Sequence, residues 1–294
     1  MPTTIGAYTK EEPKSSKSPI PPVLELDAST CTSADLVSAL KVAGGVIVRN
    51  ILTAEEIQQI ESDVRPWLEQ DKPWNGDFFP QGTRRAFGLV GKSKAFALRL
   101  VDHELWLQVV DALLTSENPN NWVGDKNEVS VCKPQLNNTI VFSIGPGARD
   151  QSLHRDDQIH HQNHRAVAKH EPGRDTGIGF FVAGKKTTRQ NGATRFIPGS
   201  HLWDYAEGPA HEDQTVYAEL NPGDGFMVLS GCFHGGSANK TENEERLVYS
   251  CFYTRSWLRQ EENQYLANDK TKILELPNCL QERVGWGLST PFLG

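Results

Sequence analysis

The sequence predicts an α+β chain whose core is a double-stranded β-helix, or jelly roll, with N-terminal helices bracing one sheet of the sandwich. Helical patterns fill the chain as far as Leu114, strand patterns take over from Val129, and turn signals separate the strands. A length of 294 residues suggests two domains, yet a jelly roll decorated with helices uses this length as one. The reading is therefore a single domain over 23–294 with its jelly-roll core at about 129–258, preceded by a flexible tail over 1–22.

Taken in order, Met1 to Pro22 is rich in Thr, Ser, Lys and Pro and has no periodic apolar face, so order is expected to begin near Val23. A first helix spans Thr32 to Val42 with Thr32 or Ser33 as its cap. Thr53-Ala-Glu-Glu56 has capping-box spacing before an amphipathic helix over Ile57 to Leu68. Two more helices are expected over Ser93 to Leu100 and Leu105 to Leu114. Strands follow at Val129–Gln135, Thr139–Ile144, Gly177–Ala183, Ala193–Ile197, Thr215–Leu220, Gly225–Leu229 and Arg246–Tyr253. No internal repeat is evident.

Composition excludes several function classes. A net charge of −7 and a pI near 5.7 argue against a nucleic-acid groove. Five cysteines without paired spacing fit free thiols in a reducing compartment. No apolar run is long enough to span a bilayer, no signal peptide is recognisable, and the terminal Pro-Phe-Leu-Gly is not a peroxisomal signal, which leaves the cytoplasm as the expected location.

The chemistry is concentrated in His154-Arg155-Asp156 and the distant His234. Two imidazoles and one carboxylate occupy one face of a metal and leave the other open, the arrangement of non-haem iron(II) oxygenases. An H-x-D tripeptide alone is a weak signal, but this one follows a buried-strand pattern, Asn138 to Ile144, and the turn Gly145-Pro-Gly147. Alternate residues of an extended segment point to one side, so His154 and Asp156 can share an ion. Gly223-Asp-Gly and the apolar run to Leu229 lead to His234, and Arg246 opens the last strand. An arginine there can clamp the distal carboxylate of 2-oxoglutarate through two parallel hydrogen bonds.

The combination of His154-Arg-Asp-Asp157, Gln190-Asn-Gly-Ala-Thr-Arg-Phe-Ile-Pro-Gly-Ser-His201, Pro222-Gly-Asp224, His234 and Arg246 resembles the phytanoyl-CoA dioxygenase-like branch of the Fe(II)/2-oxoglutarate oxygenases. Within it, the chain is most similar to fungal enzymes that tailor meroterpenoids, alkaloids and related secondary metabolites. Gly44 to Glu56 resembles the family's opening strand and helix, and Leu276 to Gly287 its C-terminal helix, so the resemblance covers about 33–290. It implies iron(II) held by His154, Asp156 and His234, 2-oxoglutarate anchored by Arg246 with contacts from Gln151 and Thr194, and dioxygen as second co-substrate. These residues would oxidise an unactivated C–H bond of a small, largely apolar natural product by hydroxylation, desaturation or rearrangement. The carboxylate of Asp156 disfavours halogenation, since halide-transferring relatives carry a small residue there. The resemblance also implies a homodimer in which a loop of one subunit covers its neighbour's pocket. Two other readings stay open: a cupin-type isomerase or hydrolase using zinc or manganese, and a catalytically silent jelly-roll binding protein.

Strand parity places Arg246, Val248, Ser250 and Phe252 on one face and Tyr249 and Cys251 on the other, making Phe252 a candidate substrate wall. Thr139, Val141 and Ser143 share one face of their strand; Asn138, Ile140 and Phe142 share the other. Parity alone does not say which set faces iron, and Thr139 is carried as a candidate substrate contact. Phe79, with Phe78 and Pro80 in the segment Trp74 to Arg85, is expected in a hydrophobic lid. His160, His161, His164 and His170, interspersed with polar residues, read as a solvated loop. His201 reads as a structural turn residue, Arg195 as a salt-bridge former, Trp203, Trp257 and Trp286 as packing residues, and Arg84 and Arg85 as surface or substrate-reaching groups.

Overall fold

The computed structural model describes residues 14–15, 17–72, 74–76, 78–207 and 211–288. Most of the expected N-terminal tail and the terminal Pro-Phe-Leu-Gly lie outside these residues. What is described of that tail is tied down at Lys14, whose N–H donates to Val167 O at 3.1 Å.

In chain order the strands are β1 (Glu25–Asp27), β2 (Gly45–Arg49), β3 (Thr83–Phe87), β4 (Ser116–Asn120), β5 (Glu128–Cys132), β6 (Gln135–Ile144), β7 (Gly177–Ala183), β8 (Thr194–Phe196), β9 (Val216–Ala218), β10 (Gly225–Leu229), β11 (His234–Gly236) and β12 (Arg246–Thr254). The large sheet runs β1-β2-β10-β7-β12-β6-β3; a short sheet, β11-β8-β9, and a two-stranded ribbon, β4-β5, complete the set. Among the described residues, β1 and β2 pair in parallel and the other strand pairs are antiparallel.

Two apolar layers follow from the two faces of the large sheet. On the outer face, Val46, Val48, Phe180, Val182, Met227, Leu247, Tyr249 and Cys251 pack against helices. On the inner face, Ile47, Phe181, Phe226, Val228, Val248 and Phe252 join Phe196 and Ala218 of the short sheet. Neighbours in sequence thus separate into different layers, as the strand period of two requires. Tyr249 and Cys251 point away from the barrel as parity expects, but they are fully buried beneath helices rather than solvated.

The covering helices are well specified locally. Helix α1 (Ser33–Ala43) begins in a capping box in which the Thr32 side chain accepts from Asp35 N, and ends at Gly44 with φ 75°. Helix α2 (Ala54–Glu69) repeats the device with Thr53 and Glu56, and buries Ile57, Ile60, Val64 and Leu68 along one stripe. Each such side chain contributes roughly 1.5–3 kcal/mol on burial. Helix Glu104–Leu114 buries Trp106, Val109, Val110, Leu113 and Leu114.

Several sequence expectations shift. The strand expected at Val129–Gln135 is two: β5 pairs with β4, and after Lys133-Pro134 a new strand, β6, enters the large sheet. Pro134 has no N–H to donate to a ladder, which breaks the run. The helix expected at Ser93–Leu100 is a short α-helix, Lys94–Phe96, continued as a π-helix over Ala97–Val101. The large sheet also recruits β1, β2 and β3, all N-terminal to 129. The C-terminal helix is shorter than expected: Asn278–Gln281 runs into a π-turn kinked at Gly285, where φ is 111°.

Candidate active site

The turn after β6 sends the chain back alongside β11. Gln151 N–H donates to Gly236 O at 2.9 Å, and His154 and His234 exchange both backbone hydrogen bonds at 3.0 Å. The pairing puts both imidazoles on one side, ring centroids 4.7 Å apart. Asp156 begins a 3-10 turn, Asp156–His160, that returns its carboxylate to the same point. Asp156 Oδ1 lies 3.4 Å from His154 Nε2 and Oδ2 lies 3.4 Å from His234 Nε2.

The tautomers are set from behind. His154 Nδ1 faces Ser152 O at 2.8 Å, and His234 Nδ1 faces Cys232 O at 3.1 Å. A carbonyl only accepts, so each Nδ1 carries the proton and each Nε2 presents a lone pair to the centre. Burial pushes the His234 imidazole down, which favours its neutral form. Burial pushes the Asp156 carboxyl up, but the two histidines beside it outweigh this and hold it low. Asp156 Oδ2 is buried with no hydrogen-bond partner. Three ligand atoms within 4.8 Å of one another, two imidazole nitrogens and a carboxylate oxygen without a hydrogen-bond partner, fit a divalent metal of the iron type.

Beside the triad lies Arg246, 4% exposed, whose Nη2 donates to Thr194 Oγ1 at 2.8 Å. Its Nε has no partner, and burial alone pushes the guanidinium down to about 10, with no carboxylate pulling it back. Gln151 Oε1 accepts from Gly236 N at 3.3 Å. A Cβ at Gly236 would stand 3.5 Å from Arg246 Nη1 and 4.0 Å from Gln151 Oε1, so glycine keeps the space between them open. A buried cation with unused donors, next to a polar cradle, fits a carboxylate-bearing co-substrate such as 2-oxoglutarate.

A cavity of about 140 Å³ joins these groups to a wall of aromatic side chains. Of the candidate substrate contacts, Phe252 and Phe79 line it and Thr139 does not. Asn138, Ile140, Phe142 and Ile144 of β6 line the cavity in alternation, and Asn137 joins them where the pairing with β12 shifts register. Thr139 is fully buried on the opposite face, where its hydroxyl accepts from Leu89 N at 2.9 Å and donates to Glu262 at 3.1 Å. It fastens a helix to the sheet.

The histidine loop is less solvated than its composition suggests. His160 lines the cavity and bonds Thr176 Oγ1 at 3.2 Å, while His170 pairs with Asp175 at 2.6 Å with both side chains 5% exposed. His201 is buried and faces Lys41 O at 3.1 Å. Arg195 pairs with Glu212 at 2.7 Å. Arg85 is neither a surface nor a substrate group: it is buried, paired with Asp71, and stacked under Trp74 and Phe79. Trp257, expected to pack, is 56% exposed. Strand parity leaves Asn138 on one of two alternative faces, and the sequence does not mark Glu261, because its approach to the cavity depends on pairing across the sheet.

The sequence pattern of the family described as phytanoyl-CoA dioxygenase (PhyH) matches residues 40–247. Dioxygenase peniF of Penicillium patulum is 40% identical over 272 residues, covering 92% of this chain and 87% of that one. Dioxygenase himG of Aspergillus japonicus is 38% identical over 280 residues, covering 92% and 86%. In fold, the chain is similar to the epimerase SnoN in complex with Fe3+, alpha ketoglutarate and nogalamycin RO, with a TM-score of 0.56, 19% identity, and coverage of 89% and 94%.

Proposed function

Because the chain belongs to the phytanoyl-CoA dioxygenase family, we propose that it is an Fe(II)/2-oxoglutarate-dependent dioxygenase that oxidises an unactivated C–H bond of a small, largely apolar natural product in secondary metabolism. The observation that carries this reading is Arg246, a buried cation without an acidic partner, set beside a facial triad whose lone pairs converge.

His154, Asp156 and His234 would hold iron(II); Arg246 and Thr194 would receive the distal carboxylate of 2-oxoglutarate, and Gln151 would orient its keto-acid end. Bound together, iron, 2-oxoglutarate and dioxygen supply the oxidising power through decarboxylation of the keto acid. The chain's own residues do the rest. The carbonyls of Ser152 and Cys232 lock both imidazoles in the metal-binding tautomer. Phe79, Phe142, Phe181 and Phe252 exclude water and seat the apolar substrate near the triad. With iron bound, the carboxylate of Asp156 would serve as a ligand where halide-transferring relatives carry a small residue, which favours hydroxylation, desaturation or rearrangement. All five cysteines are free, which supports a reducing, cytoplasmic setting, and no helix among the described residues is long and apolar enough to cross a membrane.

The test is anaerobic titration of the iron(II)-loaded protein with 2-oxoglutarate. A weak visible metal-to-ligand charge-transfer band is the expected result. Its absence with iron bound would overturn the 2-oxoglutarate assignment and favour a cupin-type isomerase or a binding protein.

A further inference from the structure

The cavity has two chemically opposite ends. Strand β12 runs from Arg246 at one end to Phe252 at the other, and β6 runs antiparallel to it, pairing Ile144 with Arg246 and Asn138 with Phe252. At about 3.3 Å per residue, the two ends are roughly 20 Å apart along the strands. The Arg246 end is cationic. The far end carries Glu261 and Asn138, both lining the cavity.

Glu261 is held in place twice. Its N–H donates to Asn137 Oδ1 at 2.6 Å, and its Oε2 accepts from Asn138 Nδ2 at 2.7 Å. Among the described residues no basic side chain is ion-paired with it; the residue is exposed at the cavity's edge, while burial of its carboxyl and the nearby Asp156 and Glu262 push that group up, and the bond from Asn138 opposes them. Asn138 is 6% exposed, and its Oδ1 is buried with no hydrogen-bond partner. Buried amide oxygens are normally satisfied, so an unpartnered one on a residue that lines a cavity marks a place where a donor is missing. The far end therefore offers two acceptors, one charged, beside the rings of Phe181 and Phe252, themselves 5.4 Å apart edge to face. Carboxylate, amide oxygen and ring faces together suit an ammonium group better than a neutral hydroxyl.

We infer that the substrate carries a basic amine, which docks between Glu261 and Asn138 Oδ1 while its apolar body lies along the aromatic wall toward the triad. This inference rests on the oxygenase reading and names the substrate class for it. Glu261 is a specificity residue and takes no part in holding iron or 2-oxoglutarate.

The test uses full-length protein loaded anaerobically with iron(II) and 2-oxoglutarate, and matched probes: tryptamine against tryptophol, and phenethylamine against 2-phenylethanol. Binding is read by isothermal calorimetry and by perturbation of the charge-transfer band. At least one amine is expected to bind more tightly than its alcohol, and Glu261→Gln to weaken that amine about fivefold, the upper end for a solvent-accessible ion pair. The alcohol's affinity and the 2-oxoglutarate band stay unchanged in the variant. Amines that bind no better than their alcohols, or a preference that survives Glu261→Gln, would overturn the inference, as would failure of every amine to bind. A protein that never develops the band fails the oxygenase reading instead, and the two failures are thereby separate.

Discussion

Replacing Arg246 with Met should separate binding of the co-substrate from stability of the fold. The guanidinium is 4% exposed, makes one hydrogen bond, to Thr194, and has no acidic partner. Burial holds it at about 10 against an ordinary 12.5, which corresponds to roughly 3 kcal/mol spent on keeping a charge out of water at neutral pH. A buried arginine paired with aspartate would leave an orphaned carboxylate when removed. This one leaves none, and methionine fills much of the same volume without the desolvation penalty. The metal-free variant should thus unfold at a temperature no lower than the wild type. Its affinity for 2-oxoglutarate should fall by about 2–5 kcal/mol, roughly thirtyfold to a few thousandfold, because the incoming carboxylate loses its counter-charge. Anaerobic titration of the iron(II)-loaded variant followed by its charge-transfer band measures the second quantity, and a thermal melt the first. A dissociation constant within threefold of wild type would refute the anchor role. A large drop in melting temperature would show that the cation supports the fold itself.

Two other consequences can be measured without a substrate. Burial pushes His201 down to about 4 from 6.5, so between these values the unfolded chain binds a proton that the folded chain does not. Stability from this residue is full above pH 6.5 and falls as pH drops through the window to about 4, by up to about 3 kcal/mol; urea unfolding should show a shallower pH slope in His201→Gln, and an unchanged slope would reject the assignment. Gly179 sits opposite Phe252, whose ring would come within 2.4 Å of an added Cβ. Gly179→Ala should lower stability by about 1–3 kcal/mol, and Phe252→Leu in the same chain should restore part of it; equal urea midpoints for Gly179→Ala and wild type would contradict this.

The parts of the site legible in the sequence are those whose geometry is local. His154 and Asp156 are spaced for one face of an extended segment, Arg246 opens a mainly apolar strand, and the two capping boxes are written in four residues each. What escaped depends on distant pairing. Thr139 and Asn138 alternate on one strand, and only the register of β6 against β12 decides which of them meets the cavity. Strand β11 is two glycines after a histidine and has no strand propensity of its own; it forms because β8 offers it a partner. Strand β3 lay inside a segment rich in aromatic and turn residues, and it is a strand because the edge of β6 was free to accept it. Glu261 comes from a loop more than a hundred residues from the asparagine that orients it.

The regular stretch of β6 from Asn138 to Ile144 beneath the cavity also constrains how such a pocket can change. Asn138, Ile140, Phe142 and Ile144 line it at intervals of roughly 6.6 Å fixed by the pleat. Inserting one residue beyond the irregularity at Asn137, with no further bulge to absorb it, would turn the side chains past that point away and bring up their neighbours, so this stretch of the strand acts as a fixed scale. A lineage that acquires a longer or shorter substrate must do so by exchanging one graduation for another, or by lengthening the loops at either end. The distance between the two ends of the scale would be inherited intact.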